Sequence, residues 1–176
     1  MIQDPRSSIS GLALVLWVKA VYGDRAESVW EQLAPKILTV TKGWSESYGL
    51  FTEGEADMVL SYTTSPAYHI VAEGDLTKKA AIFPEGHYFM VELAAKIAGT
   101  DNPELADAFL AFILTDTFQN LIPTGNWSLP AALPVSEWPE AFQELPLPEK
   151  VLFYSEDEAA DLRAETIEEW RRALSK

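Results

Sequence analysis

The sequence contains no cysteine and carries little positive charge. The lack of cysteine excludes thiol nucleophiles, disulfides and cysteine-bound metals. Lysine and arginine total 13 residues against 27 aspartates and glutamates, which gives a formal net charge of −14. Nucleic-acid binding requires a basic surface for the phosphates, so this balance argues against a nucleic-acid partner. An acidic field mildly favours a cationic ligand, although a solubilising surface explains the same charge.

Long apolar runs are also missing. No stretch approaches the roughly 20 residues that cross a bilayer. The most apolar window, Leu12–Val18, is followed at once by Lys19 and predicts a buried helix. The first residues include Asp4 and Arg6 and lack the apolar centre of a signal peptide. We therefore expect no membrane-inserted segment and no signal peptide in this chain.

Short apolar segments alternate with helical patterns along the 176 residues, of which 48% are hydrophobic. This length suits one ordinary domain with a sizeable core. The alternation predicts an α/β fold with a mainly parallel sheet flanked by helices. The predicted strands are Ile2–Asp4, Ile37–Thr41, Asp57–Ser61, Ala80–Phe83 and Tyr88–Ala95.

Capping residues predict the helices of the first half of the chain. Ser10 is expected to cap the first helix, and Gly23 to end it. Asp24 is expected to cap the second helix. Two further helices are predicted over residues 44–53 and 66–72.

The second half of the chain has its own helix signals. Asn102 followed by Pro103 predicts a helix start, and Ser155 with Glu158 predicts a capping box that opens the last helix. Residues 117–122 are predicted as a short helix, 123–127 as a turn, and the proline-rich residues 130–148 as an irregular connection. The predicted core face of the helix after Asn102 consists of Leu105, Phe109, Phe112 and Ile113.

Two predicted strands end in turns that are rich in aromatic and hydroxyl side chains. In an open α/β sheet, ligands bind beyond the carboxyl ends of the strands. Flat rings with hydrogen-bonding rims suit a planar heteroaromatic ligand, above all a cationic one. The pattern therefore predicts a binding site and not an active site. Its aromatic residues are Trp44, Tyr62 and Tyr68, and its hydroxyl residues are Ser61, Thr63, Thr64 and Ser65.

Signals for catalysis or metal binding are weak. Residues 43–47 resemble a nucleophile elbow, but Ser47 stands where that motif has glycine. His69 and His87 are the two histidines, and their separation is not that of metal ligands. We expect both to be solvated or core residues and predict no catalytic or metal site.

Four sequence runs carry a family resemblance: QDPRSS, VTKGWSESYGLFTEGEADMVLSYTTSPAYH, FPEGHYFMVELAA and FQNLIPTGNW. They resemble the second half of the bacterial thiamine-binding periplasmic proteins, the solute-binding components of thiamine ABC importers. The resemblance covers the whole chain. It implies one lobe of a type II periplasmic-binding-protein fold, with crossing and C-terminal segments, in a family about twice this length.

The resemblance also implies a domain organisation and partners. Residues 1–85 would form the ligand-binding unit of the second lobe. Residues 86–129 would form the return crossing and helices that belong partly to an absent first lobe, and residues 130–176 the proline-rich connection and C-terminal helix. The parent protein would be periplasmic and would deliver its ligand to a membrane permease and an ATPase.

The implied ligand is thiamine, thiamine phosphate or thiamine diphosphate, with no cofactor. Trp44 would face the pyrimidine or the thiazolium cation, and Tyr68 and Trp127 would add aromatic walls. Ser8 and the loop of residues 62–66 would receive the hydroxyethyl or phosphate end. The residues that match the family's ligand contacts are Ser8, Ile9, Trp44, Tyr62, Thr63, Thr64, Ser65, Pro66, Tyr68 and Trp127.

Structural roles remain open for several of these residues. Trp44 can be a core residue that begins a helix, Tyr68 can be plain packing, and Trp127 can pin the proline-rich connection. Thr64 or Ser65 can simply cap the helix that follows.

Three other functions are weighed against thiamine binding. Iron-binding relatives commonly use adjacent tyrosines, whereas Tyr62 and Tyr68 lie six positions apart. A hydrolase based on Ser8 or Ser65 would need His87 as its base. A lobe that binds weakly by itself would expose apolar residues such as Phe112 and form homodimers.

Overall fold

The computed structural model describes residues 1–175 and divides them into two compact units. Unit 1 contains Met1–Ser61, Ile82–Met90 and the residues from Pro148 onward, and unit 2 contains Tyr62–Ala81 and Val91–Leu147. The predicted division into residues 1–85, 86–129 and 130–176 assigns segments to lobes of a longer protein, and it stays a prediction.

Short strands and helices follow one another along the chain. Short 3₁₀ turns cover Gly23–Arg25, Ala34–Lys36 and Val135–Glu137, and a π-helical turn covers His69–Glu73. The strands are β1 (Ile2–Gln3), β2 (Val40–Thr41), β3 (His87–Tyr88) and β4 (Val151–Leu152). The helices are α1 (Ile9–Tyr22), α2 (Ala26–Leu33), α3 (Trp44–Thr52), α4 (Ser65–Tyr68), α5 (Pro103–Phe112), α6 (Asp116–Gln119), α7 (Ile122–Gly125), α8 (Glu140–Gln143) and α9 (Glu156–Leu174).

All described strand pairs are parallel, and all lie in unit 1. β1 pairs with β2 in the register Ile2–Val40, and β3 pairs with β4 in the register His87–Val151. The parallel arrangement is confirmed, but the predicted strands are longer than those observed. The Asp57–Ser61 strand is wrong, although Leu60 N–H donates to the Met1 carbonyl at 2.9 Å.

Two further predicted strands are also wrong, and both lack a neighbour to pair with. Ala80–Phe83 has no regular structure, and of Tyr88–Ala95 only Tyr88 belongs to a strand, the end of β3. Leu93 is 88% exposed. Apolar content predicts burial, but a strand forms only where another strand satisfies its backbone groups. Phe89 N–H still donates to the Leu152 carbonyl of β4 at 2.8 Å, but within residues 1–175 no strand pairs with residues 90–97.

The core of unit 1 lies where α1, α2 and α9 pack together. Trp30 and Trp170 are buried there, together with Val15 and Val18. The buried Lys19 ammonium forms ion pairs of 2.7 Å with glutamates of α9. Burial alone would lower the pKa of Lys19, but the hydrogen bonds that its ammonium donates to these two carboxylates outweigh burial and raise that pKa. The pairs are Lys19 with Glu165 and with Glu169.

Helix ends confirm two capping predictions and contradict two. Gly23 ends α1 with φ of +55°, and Ser155 opens α9 with a complete capping box. The residue that caps α1 is Ser8 and not Ser10, since Ser8 Oγ accepts from Gly11 N–H. Asp24 caps nothing, because Gly23–Arg25 forms a 3₁₀ turn and α2 begins only after Arg25.

Unit 2 has a small core of its own. Ala67 and Phe142 are fully buried, and Leu145 is nearly so. Trp127 is among the partly buried residues that pack against them. Residues 130–148 are irregular apart from one 3₁₀ turn and α8. The predicted turn at 123–127 is wrong in part, because α7 begins at Ile122 and includes Pro123.

Helix α5 begins at Pro103 after Asn102, as predicted, but its predicted core face is wrong. Leu105 is 69% exposed and Phe109 is 52% exposed, and no α5 residue is buried within the described chain. The helical period identifies an apolar face but not what covers it.

Within residues 1–175 no single helix is long and apolar enough to cross a membrane. The α5 helix and the segment Asp116–Gly125 reach the required length and apolar character only when they are taken together, and they are bent by 64° relative to each other.

Gly11 is required by the close approach of α1 to β1. A Cβ atom at this position would lie 2.5 Å from the Gln3 carbonyl oxygen and 2.9 Å from that of Asp4. We predict that Gly11→Ala lowers the free energy of unfolding by about 1–3 kcal/mol, because the helix must move away from the strand. Urea denaturation measures this change.

Gly49→Ala is the matched control, because Gly49 lies in α3 and a Cβ atom added there would meet no other atom within 4 Å. The same substitution there should stabilise the chain slightly, by about 0.5–1 kcal/mol. Equal effects of the two substitutions would contradict the close-approach argument.

Candidate functional site

The buried amide of Gln3 joins three segments at one edge of the β1–β2 sheet. Gln3 Oε1 accepts from Ser10 Oγ at 2.8 Å, while its Nε2 donates to Ser47 Oγ at 2.5 Å and to the Leu60 carbonyl at 3.1 Å. Gln3 is fully buried, so each of these bonds replaces one to water. The sequence analysis missed Gln3; its signal was an amide at the end of an otherwise apolar strand.

The first turn at this edge follows β1 and leads into α1. Asp4 accepts three bonds from the Arg6 guanidinium, at 2.6, 2.9 and 3.1 Å, and these bonds lower the pKa of the Asp4 carboxyl. Ser8 Oγ lies 2.9 Å from Ser10 Oγ and caps α1. Ile9 is 74% exposed. The turn therefore presents an ordered hydroxyl and an apolar side chain.

A hydrogen bond connects this turn to the one that follows β2. Ser7 Oγ donates to the Lys42 carbonyl at 2.7 Å. Because β1 and β2 are parallel, their carboxyl ends meet at the same edge, as ligand-binding edges of α/β sheets do. The structure thus brings the turns that carry Ser8 and Trp44 together.

Trp44 is the first residue of α3, and two contacts fix its ring. Its Nε1–H donates to Ser61 Oγ at 2.9 Å, and its indole stacks on Tyr48 with centroids 4.5 Å apart and planes 21° apart. Tyr48 was missed by the sequence analysis, although a spacing of four residues on a helix brings two rings into contact. The result is a rigid, partly buried aromatic face.

The loop of residues 62–66 lies in unit 2 and leads into the short helix α4. Ser65 N–H donates to the Tyr62 carbonyl at 3.0 Å, and Ala67 N–H donates to the Thr64 carbonyl at 3.0 Å. Thr64 occupies the N-cap position, but its side chain makes no capping hydrogen bond there. Tyr62 is 44% exposed, while Pro66 is buried.

Tyr68 and Trp127 form an aromatic pair within unit 2. Their rings meet edge to face, with centroids 5.0 Å apart and planes 89° apart. Trp127 also lies nearly parallel to the buried Phe142, at 6.4 Å and 12°. Tyr68 keeps 36% of its surface exposed. The structure therefore brings these two predicted contacts together on the core of unit 2.

Among the described residues, one cluster has donor atoms close enough to hold a metal ion. His69, Glu73 and Asp75 place one ligand atom each within 4.8 Å of the others. Two of these residues already bond to each other, since His69 Nδ1 lies 2.6 Å from Glu73 Oε2. Asp75 also forms an ion pair with the Lys78 ammonium at 3.4 Å. Hydrogen bonds from Thr77 lower the pKa of Asp75 to about 2.

His87 is held by contacts with Phe83 and Trp17 in unit 1. Its Nε2 accepts from Phe83 N–H at 3.0 Å, and its ring lies 4.9 Å from that of Trp17. Burial lowers the pKa of His87, which favours the neutral ring that this acceptor role requires.

Comparison with known proteins identifies the class. Residues 9–120 match the family of bacterial extracellular solute-binding proteins, and the chain belongs to that family. A solved structure titled periplasmic thiamin binding protein superposes with a TM-score of 0.92 and 52% identity, over 99% of this chain and 54% of that one. The α/β periplasmic-binding-protein fold predicted from the sequence is therefore confirmed.

Individual relatives share a single name. The chain is 52% identical over 174 residues to the thiamine-binding periplasmic protein of Escherichia coli, covering 99% of this chain and 53% of that protein. It is 51% identical to the Salmonella typhimurium protein over the same shares, and 51% identical to the Brucella abortus protein over 100% and 53%. The chain spans about half the length of these relatives.

Replacement of Gln3 tests whether its amide organises the sheet edge. We predict that Gln3→Met lowers the free energy of unfolding by about 1–3 kcal/mol, because the partly buried Leu60 carbonyl and the buried Ser10 hydroxyl each lose a partner. Chemical denaturation gives this value. Gln32→Met is the control, since Gln32 makes an exposed bond within α2; a similar loss in both variants would contradict the role of Gln3.

Proposed function

We propose that this chain binds thiamine or one of its phosphate esters, as part of the solute-binding component of an ABC importer. The observation that carries the proposal is about 50% identity along the whole chain to proteins named for thiamine binding. Two fixed aromatic groups, Trp44 with Tyr48 and Tyr68 with Trp127, support it independently.

The aromatic groups suit the cationic, two-ring ligand. A thiazolium held over an indole gains up to ~2 kcal/mol when it is desolvated. The Trp44 ring is held by Ser61 and Tyr48, so little side-chain freedom is lost on binding. The net charge of −14 adds a mild attraction for a cation.

The polar end of the ligand would meet hydroxyl and backbone donors. Within unit 1, Ser8 at the start of α1 offers such a donor, and Ile9 offers an apolar contact. Within unit 2, the loop of residues 62–66 offers further donors, and Pro66 an apolar contact. These groups can receive either a hydroxyethyl group or a phosphate, so we propose thiamine, thiamine phosphate and thiamine diphosphate as ligands. The proposal includes no cofactor and no metal.

We propose binding without catalysis. Ser8 Oγ serves as the cap of α1, and His87 Nε2 already accepts from the Phe83 backbone, so neither is arranged as a nucleophile or its base. The sequence also contains no cysteine nucleophile. Thiamine incubated with the purified chain should be recovered unchanged.

The partners follow from the same comparison. The relatives are named as periplasmic, and we propose the same compartment for the parent protein. A membrane permease and an ATPase would receive the ligand. Because the relatives are about twice as long, we propose that a first lobe completes the two-lobe protein.

We also propose that the isolated chain pairs with a second copy of itself through α5. Leu105 and Phe109 line a groove of about 460 Å³ together with Thr100, Asn102 and Ala106. A ten-residue helix with no buried residue is marginal in water, so an apolar cover would stabilise it. Exposed apolar surface of this kind favours association.

Trp44 gives the direct test of the proposed ligand. We predict that thiamine quenches the tryptophan fluorescence of the chain and that Trp44→Ala raises the Kd about 30-fold, the equivalent of ~2 kcal/mol. Fluorescence titration measures both effects. Trp17→Phe is the control, since Trp17 is not among the predicted contacts and its indole donates to the Gly86 carbonyl. An unchanged Kd in Trp44→Ala would contradict the assignment.

Sedimentation equilibrium tests the pairing through α5. We predict a concentration-dependent dimer that Phe109→Ser weakens, because a polar side chain removes apolar surface from the groove. Leu38→Asn is the control, since Leu38 is 65% exposed in unit 1. A monomer at high protein concentration would exclude self-association.

A further inference from the structure

Trp127 has an unusual backbone conformation for a bulky residue. Its φ is +55°, and it is the one non-glycine residue of the described chain with positive φ. A side chain with a Cβ atom is strained in this region, so the surrounding structure must hold it there. The ring contacts to Tyr68 and Phe142 depend on this conformation, because φ sets the direction of the Trp127 side chain.

The neighbouring residue, Asn126, is fixed from two sides. Its backbone N–H donates to the Ile122 carbonyl at 3.0 Å and thereby ends α7. Its side-chain Nδ2 donates to both carboxylate oxygens of Glu92, at 2.9 and 3.0 Å. Ser128 Oγ donates to the Asn126 carbonyl at 3.3 Å, so a hydrogen bond connects the two residues that flank Trp127.

We propose that Glu92 and Asn126 are positioning residues that hold Trp127 in its left-handed conformation. Hydrogen bonds to an ionised carboxylate are stronger than neutral ones, and two of them fix the orientation of the Asn126 amide. Glu92 thus anchors the residue before Trp127 to the segment 91–97. The effect on ligand affinity rests on the proposed thiamine function, but the effect on the Trp127 ring does not.

Substitution can exchange the hydrogen-bond donor and acceptor between Asn126 and Glu92. Asn126→Asp places a second carboxylate against Glu92, so the two side chains repel each other. Glu92→Gln alone keeps an acceptor oxygen for the Asn126 amide and has a small effect. When both substitutions are combined, the new amide at position 92 donates to the new carboxylate at position 126, which restores the bond with its direction reversed.

Fluorine NMR of the chain labelled with 5-fluorotryptophan reports the Trp127 ring directly. The chain contains six tryptophans, and Trp127→Phe assigns the resonance. We expect Asn126→Asp to shift or broaden the Trp127 signal and to weaken thiamine binding about tenfold. Adding Glu92→Gln to Asn126→Asp should restore both. The other tryptophan signals should stay in place, which shows that the variants are folded.

Asn120→Asp is the matched control, because Asn120 donates to the Asp116 carbonyl in α6 and makes no contact with Glu92 or Trp127 among those observed. It should leave the Trp127 signal unchanged. A Trp127 signal that is unchanged in Asn126→Asp overturns the positioning role. So does a double variant in which the Trp127 signal fails to return to its original position. Failure of the unaltered chain to bind thiamine overturns the proposed function, and the fluorine signal alone then decides the positioning role.

Discussion

The hydrogen-bonded amide of Gln3 is the constraint on which the β1–β2 edge depends. A buried amide without partners is costly, so its three bonds hold the start of α1, the first turn of α3 and the Leu60 segment in one arrangement. With strands of only two residues, the backbone ladder contributes few bonds here. The positions of the Ser8 and Trp44 turns therefore depend on a side chain that touches neither residue in the observed hydrogen bonds.

Two of the candidate aromatic rings, Trp44 and Trp127, are supported by neighbours that do not themselves match a ligand contact. Tyr48 and Ser61 hold Trp44 in unit 1, and Phe142 backs Trp127 in unit 2. Rings fixed in advance lose little freedom when a ligand stacks on them, and this raises affinity without new contacts. The strained backbone conformation of Trp127 likewise persists only because neighbouring residues hold it in place.

Local signals were predicted well from the sequence, and signals that depend on distant partners were not. The capping box of Ser155 and the terminating Gly23 act within a single turn, so both were predicted correctly. Ser10 was predicted as the cap of α1 instead of Ser8, because the position of the cap depends on where β1 ends and on the hydrogen bond that Ser10 donates to Gln3. The strands predicted over 57–61, 80–83 and 88–95 failed since pairing is not local. The family resemblance named the candidate site residues, but neither Gln3 nor the conformation of Trp127 is visible in a pattern of residue types.

Equilibrium dialysis of the purified chain against radiolabelled thiamine tests the central claim most directly, because it requires no assumption about which ring responds. The account predicts saturable retention of thiamine that unlabelled thiamine displaces and ferric citrate does not. Retention that never saturates, or none at any concentration of the chain, would contradict the claim that this chain carries thiamine contacts.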